Sequence, residues 1–317
     1  MSRRMSSPHP LRPLTMRVCV NAHAKINLSL DVGQKGPSGY HALETVMQTI
    51  SLADTVSVQK TPEPGILVAC TSACTGMPDS DIPTDNRNTA YRAAAAVLER
   101  THARAGVSIT IVKRIPVQAG LGGGSSDAAA VLRALALLLD WHPSHHELAS
   151  TAMSVGSDVP FFLTGGTALV EGIGQTVTPL PAPPPMHLVI AKPTAGVSTE
   201  AAYRALDDCP TPRAPSTPGL LRALAKRDRD AVVRSMGNHF EYVVPELVPA
   251  VAELMAQMRS HGALSVHLCG SGSAAFALAM SPSNATQIGH ALAGSTSFVA
   301  ITTTVGPASA ADLTVIA

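Results

Sequence analysis

The residues best suited to chemistry lie in one stretch, Pro116-Val-Gln-Ala-Gly-Leu-Gly-Gly-Gly-Ser-Ser-Asp127, where four glycines run directly into an apolar segment. Glycine lets a backbone approach an anion without side-chain obstruction, while free N–H groups and the dipole of a helix N-terminus supply positive character. The stretch therefore reads as a phosphate cradle entered at Pro116 and built from Gly120, Leu121, Gly122, Gly123 and Gly124. The hydroxyls of Ser125 and Ser126 follow at once and are placed to meet phosphate or Mg²⁺. No Lys-Ser or Lys-Thr pair follows the glycines, so the Walker A pattern and an ordinary P-loop fold are excluded.

Such a loop needs a helix behind it and strands around it. Residues 125–140 are apolar nearly all round, which predicts a buried helix opening with Ser125, Ser126 and Asp127 as cap and first turn. Strands are expected at 17–20, 26–32, 55–59, 66–69 and 107–112, with an Ala-rich helix over 88–104. The run PLPAPPP at 179–185 is too proline-rich for regular structure and marks a linker, so the chain divides near residue 182. Beyond it come strands at 187–191, 265–268, 274–280 and 296–303. Helices are expected at 199–206, 219–238 and 247–261, with a surface loop at 210–218. Strands and helices mixed in this way predict an α+β fold. The expected organisation is a disordered tail over 1–16, a first domain over 17–182 and a second over 183–317, with Met16 a possible alternative start.

Composition narrows the function classes. A chain of 317 residues exceeds the usual size of one core, and 45% hydrophobic against 14% charged residues leaves ample core material. With a formal net charge of +1 and no Lys/Arg stripe, nucleic acid is excluded as a partner. The first sixteen residues lack an apolar signal core, and the longest apolar run, 128–139, is interrupted by Arg133 and too short for a bilayer. No membrane association is expected. Five scattered cysteines do not form a disulfide framework, which points to a reducing, cytoplasmic setting.

PVQAGLGGGSSDAA resembles the central motif of the GHMP kinases, the ATP-dependent small-molecule kinases that include galactokinase, homoserine kinase and mevalonate kinase. Four further pieces resemble a branch whose acceptor is a cytidylyl-bearing methylerythritol. They are Ala24-Lys25-Ile26-Asn27-Leu28, Gly39-Tyr40-His41 with Leu43-Glu44-Thr45, Gly156-Ser157-Asp158-Val159-Pro160-Phe161, and Gly196-Val197-Ser198-Thr199 with Tyr203. Gly270-Ser271-Gly272-Ser273-Ala274 resembles the family's third motif, a glycine turn near the phosphates. The match runs in order from residue 17 to about 280. It departs at Asn238-His239-Phe240-Glu241, where the family often has Asn-Asp-Leu/Phe-Glu, and at Ser273, where proline is frequent. The resemblance implies a ribosomal-S5-like ATP domain followed by a ferredoxin-like substrate domain. It also implies phosphorylation by ATP, with Mg²⁺, of the 2-hydroxyl of a cytidylyl-linked methylerythritol, a step toward isoprenoid precursors.

Phosphoryl transfer asks a protein mainly to position donor and acceptor and to neutralise charge on the moving group. By resemblance, Asp158 takes the acceptor hydroxyl proton, and Lys25 balances that carboxylate while contacting hydroxyl or phosphate. The plain alternative for Asp158 is an N-cap before Val159-Pro160. Tyr40 and Tyr203 are implied to sandwich the cytosine ring and His41 to read its edge, while Asn27 and Thr199 address the acceptor's polar atoms. Gly270, Ser271 and Gly272 stay close to the phosphates, and either Ser125 or Ser126 meets Mg²⁺.

Competing chemistries fare worse. Gly270-x-Gly272-x-x-Ala275 fits the dinucleotide fingerprint, but AAFALAMSPS reaches Pro282 before a helix can form, and no acidic residue lies about twenty positions on. A non-catalytic nucleotide sensor would have lost Lys25 or Asp158, and both are present. A homoserine- or mevalonate-type kinase would suit the glycine loop equally but not the Tyr40-His41 and Thr199-Tyr203 pairs. His142, His145 and His146 sit in a segment read as a solvated loop, and Cys70 and Cys74 have no companion pair, so neither group is assigned a metal.

Overall fold

The computed structural model describes residues 16–316 apart from 38, 75–78, 80–81, 212–213 and 308–312. The tail expected over 1–16 therefore lies outside the described residues except for Met16. The first strand, β1 (Arg17–Lys35), is continuous where two shorter strands were expected. Its even-numbered residues from Val18 to Val32 are all buried; they alternate with more exposed neighbours as far as His23, and from Ala24 to Val32 both faces of the strand are covered. They pass through three hydrophobic clusters in turn: Val18, Val20 and Ala22 in the first, Ala24, Ile26 and Leu28 in the second, Leu30 and Val32 in the third. A single strand thus ties both halves of the chain together.

β1 forms a long hairpin with β2 (His41–Thr61), whose register shifts between His23 and Lys25 and again between Asn27 and Ser29. One end of β2 pairs with β4 (Gly106–Lys113), which runs parallel to β3 (Ile66–Ser72); the other end pairs with β5 (Thr167–Gly172) and through it β6 (Thr176–Pro179). Helices α1 (Thr89–Thr101) and α2 (Gly123–Leu138) close the first cluster, joined by α3 (His145–Val155) and α4 (Val159–Thr164). Asn88 caps α1 through Oδ1, which accepts from Ala90 N–H at 2.8 Å.

The segment expected to link two domains runs between β6 and β7 (His187–Lys192), the inner strand of a second, antiparallel sheet. Its neighbours are β11 (Phe298–Thr303) on one side and β10 (Ala275–Ala279), then β9 (Ser265–Leu268), on the other. Val189, Ala191, Ala275 and Ala277 face α5 (Thr199–Asp208), α8 (Val244–Leu247), α9 (Pro249–Ser260) and α10 (Pro282–Leu292). Leu188, Ile190, Phe276 and Leu278 face Ile26, Leu28 and Val46 of the first sheet. Two late strands, β8 (Gly237–Asn238) and β12 (Leu313–Ile316), return to pair with β1.

Three expectations are corrected. The helix behind the glycines starts at Gly123, not Ser125, and its cap is Gly122 in a left-handed conformation (φ 70°). Ser125 therefore falls in the first turn and no side chain caps the helix. The single helix expected over 219–238 is two, α6 (Thr217–Lys226) and α7 (Arg229–Arg234). Arg227 turns left-handed (φ 53°), and Asp228 starts a new helix by accepting from Ala231 N–H at 2.9 Å, a side-chain bond that outcompetes helix continuation. His145 and His146 open α3 rather than sit in a loop, because Ser144 and Glu147 form a capping box. The stretch after Gly272 is strand β10, as expected, and so lacks the helix that a dinucleotide fold requires there.

Candidate active site

Side chains two apart on a strand share a face, so β1 presents Lys25 and Asn27 together, opposite Ala24, Ile26 and Leu28. Lys25 is only 4% exposed; its Nζ donates to Asn27 Oδ1 at 2.8 Å and lies 3.8 Å from Asp158 Oδ2. Its N–H donates to the Leu121 carbonyl at 3.0 Å, stitching β1 to the glycine loop. Asn27 Oδ1 also accepts from Gly270 N–H at 3.1 Å, and Asn27 Nδ2 donates to Thr45 Oγ1 at 2.9 Å. One amide oxygen thus joins the ammonium to the turn at Gly270.

Asp158 precedes α4 with a helical backbone (φ −85°, ψ −13°), and its carboxylate makes no cap hydrogen bond. The capping role is absent. The side chain is 31% exposed beside an ammonium, open to a ligand.

The glycines have specific reasons to lack side chains. A Cβ on Gly120 (φ 73°) would sit 1.7 Å from the Cys269 carbonyl oxygen, so the loop packs backbone to backbone on the turn before Gly270. A Cβ on Gly122 would meet the Phe162 ring at 2.7 Å. Helix α2 then begins with N–H groups that have no intrahelical acceptor and face the loop's cleft. That cleft, about 350 Å³, is bounded by Thr89, Lys113, Pro116 and Ser125 as well as by the glycines. A second cleft of about 580 Å³ adjoins it, lined by Gly196, Thr199, Ser271 and Gly272, and the two share Gln118 and Gly120.

The two serines differ. Ser126 is buried against Val20, Thr49 and Phe162, away from the cleft. Ser125 lines the cleft, and its Oγ would lie 3.9 Å from a Cβ on Gly156, on the Asp158 side.

The base-binding residues are only partly assembled. His41 and Tyr203 stack with centroids 5.0 Å apart, and Phe240 meets Tyr203 edge-on at 4.9 Å. His41 is held further by the Gly33 carbonyl at 3.0 Å from Nδ1 and by Asp207 Oδ1 at 3.4 Å from Nε2. Tyr40, which immediately precedes β2, is 67% exposed. Burial first, and the charge of Asp158 second, push the Tyr203 phenol up to about 12, which places this shelf within electrostatic reach of the carboxylate. Thr199 Oγ1 lies 3.2 Å from Ser271 Oγ, joining the start of α5 to the third glycine turn.

Sequence reasoning missed two supports. Asn238 Nδ2 donates to the carbonyls of Leu268 (3.2 Å) and Gly270 (2.8 Å), while Glu241 Oε1 accepts from Leu268 N–H at 2.9 Å. Both belong to the quartet that was noticed only for its departures. His239, the departing residue, accepts from Val32 N–H at 2.9 Å through Nδ1 and so pins the first hairpin to this segment.

The second support is Lys113, buried on the floor of the loop's cleft, its Nζ 3.3 Å from where a Gly123 Cβ would stand. It donates to Asp54 and, at 2.6 Å, to Asp127. Burial alone would pull this ammonium down, but Asp127 and Asp54 together outweigh it and hold Lys113 above its ordinary range. One carboxylate suffices to balance the charge. Burial then pushes Asp127 up to about 7, against the pull of Lys113 and with the repulsion of Asp54. No signal in the sequence distinguished this strand lysine from a solvated one.

Known proteins resemble this chain in sequence and in fold. Residues 88–166 match the family model described as GHMP kinases N terminal domain, and residues 220–296 match GHMP kinases C terminal. A curated 4-diphosphocytidyl-2-C-methyl-D-erythritol kinase from Caldicellulosiruptor saccharolyticus is 43% identical over 259 residues, 82% of this chain and 87% of its own. A crystal structure of 4-(cytidine 5'-diphospho)-2C-methyl-D-erythritol kinase superposes with a TM-score of 0.75 at 36% identity, covering 91% of this chain and 99% of that one. A homoserine kinase structure from Cytophaga hutchinsonii gives a TM-score of 0.74 at 22% identity, covering 98% of this chain and 100% of that one, which speaks for the fold alone.

Proposed function

The chain belongs to the GHMP kinase family, and on that premise we propose that it transfers the γ-phosphoryl group of ATP to the 2-hydroxyl of 4-diphosphocytidyl-2-C-methyl-D-erythritol, on the route to isoprenoid precursors. The observation that carries this reading is the 3.8 Å approach of Lys25 Nζ to an uncapped Asp158, at the edge of a glycine-lined anion site. The glycine loop and the N-terminus of α2 hold the donor's phosphates. Asp158 accepts the proton of the attacking hydroxyl, and Lys25 supplies positive charge where the moving group develops negative charge. Its contact with Asn27 keeps the ammonium from swinging away. Gly270, Ser271 and Gly272 close the phosphate side, while Thr199 and Asn27 address the acceptor's polar atoms.

Substrate choice rests on the shelf of His41, Tyr203 and Phe240. Stacking of a base on such rings gives about 1–3 kcal/mol. This binding energy, remote from the reacting hydroxyl, helps position it. Tyr40, exposed at the end of the hairpin, is the residue left to cover the base's other face.

Mg²⁺ fits the oxygen donors present. Among the described residues no group of three or more His, Cys, Asp or Glu could cage a metal. Mg²⁺ usually takes one or two protein oxygens plus phosphates and water. Ser125, on the cleft side, would hold it, and it would neutralise phosphate charge. The unpaired thiols support a reducing cytoplasm as the working compartment.

The test is ATP consumption measured in parallel with the cytidylyl alcohol, its counterpart lacking the cytidylyl group, homoserine and mevalonate. The cytidylyl alcohol should be preferred by several powers of ten. Preference for homoserine or mevalonate would overturn the acceptor while leaving the kinase assignment in place.

A further inference from the structure

Gln118 stands in the middle of the glycine loop with φ 52°, in the left-handed region that a residue bearing a side chain seldom adopts. Glycine would be free of that strain, and Gly120 and Gly122 nearby adopt positive φ as glycines. The strained residue is also exposed, so its side chain is not held there by core packing. Strain kept at a binding loop calls for a use of the side chain.

The position suggests that use. Gln118 lines both clefts, the one over the glycines and the one lined by Thr199 and Ser271. Its Oε1 would lie 3.8 Å from a Cβ on Gly196, so the amide reaches from the loop in the first half to the segment that opens α5 in the second. Both clefts are bounded by glycine backbones suited to anions, and the amide stands at the point they share.

We propose that Gln118 is a ligand-positioning residue whose side-chain amide donates a hydrogen bond to a phosphoryl oxygen at the junction of the two clefts. This rests on the functional reading above only in naming the two sources of such an oxygen: the donor nucleotide's polyphosphate or the acceptor's diphosphate. The left-handed backbone is what turns the amide into the junction.

Equilibrium binding of ADP and of CDP to the full-length protein, measured by calorimetry at low and high salt, tests this independently of turnover. Gln118→Ala should weaken one of the two nucleotides by about threefold to tenfold, the range for losing a single hydrogen bond. Gln118→Glu places a carboxylate against the same oxygen and should weaken that nucleotide at least about tenfold beyond the alanine variant, with the gap closing at high salt. The nucleotide affected identifies the source. Gln118→Gly relieves the backbone and should raise Tm while still weakening binding. If Ala and Glu variants bind both nucleotides as the wild type does, or bind them equally at both salt concentrations, Gln118 is a loop residue without a ligand role. If the wild type fails to phosphorylate the cytidylyl alcohol, the functional reading falls, and the comparison of Ala with Glu still decides the role of Gln118.

Discussion

Asp158 has two possible occupations, capping the start of a helix or serving a ligand, and the absence of any cap bond leaves the second. Asp158→Asn keeps size and polarity but cannot take a proton. Turnover should fall by at least about 10²-fold, equivalent to about 2.7 kcal/mol of barrier, with ATP affinity intact. Near-normal turnover in this variant would return Asp158 to a structural part. Tyr203 makes a different claim, since it holds His41 on one side and Phe240 on the other. Tyr203→Ala should raise KM for the cytidylyl acceptor by about one to two powers of ten, the worth of one stack. KM for ATP should barely change, and a parallel rise in both would mean that the ring supports the fold rather than the base.

At the scale of elements, the site depends on two turns touching backbone to backbone. Gly120→Ala would drive a methyl into the Cys269 carbonyl and strain a backbone at φ 73°. Gly39 offers the control, because it also has positive φ (83°) but open space where a Cβ would go. Gly39→Ala should cost only the left-handed penalty, about 1–2 kcal/mol, whereas Gly120→Ala should lower Tm clearly further and weaken ATP binding as the turn at Gly270 is pushed away. Equal shifts in Tm for both variants would show that the loop yields without disturbing the turn.

At the scale of the whole molecule, Asp54 from the first hairpin, Lys113 from β4 and Asp127 from α2 meet in the first half's interior, and their charges link stability to pH. The carboxyl of Asp127 is raised from an ordinary 3.8 to about 7. Below about pH 4 it is protonated folded or unfolded; between about 4 and 7 the unfolded chain releases the proton and the folded one keeps it. Rising pH therefore costs stability across that window, and the loss is complete above about 7. Asp127→Asn retains an acceptor for Lys113 and removes the titration. Urea unfolding at pH 5 and pH 8 should show the variant gaining more on the wild type at pH 8 than at pH 5; an unchanged difference at the two pH values would refute the cluster's role.

The amino-acid sequence by itself determined the glycine loop, the alternation that puts Lys25 beside Asn27, the buried character of α2 and the α+β class. Each is written in spacing, residue by residue, because strand and helix periods and the need for positive φ act over short stretches. Only the tertiary structure decided which distant groups meet. Asn238 reaches the Gly270 carbonyl across 32 positions, and Lys113 finds Asp54 across 59, through pairing registers that no local pattern encodes. The same limit explains the base shelf: tyrosine's scarcity drew attention to Tyr40 and Tyr203, yet packing gave Tyr203 to His41 and Phe240 and left Tyr40 in solvent. Which aromatic faces which is settled by how the second sheet packs against β1, and that is a property of the assembled core.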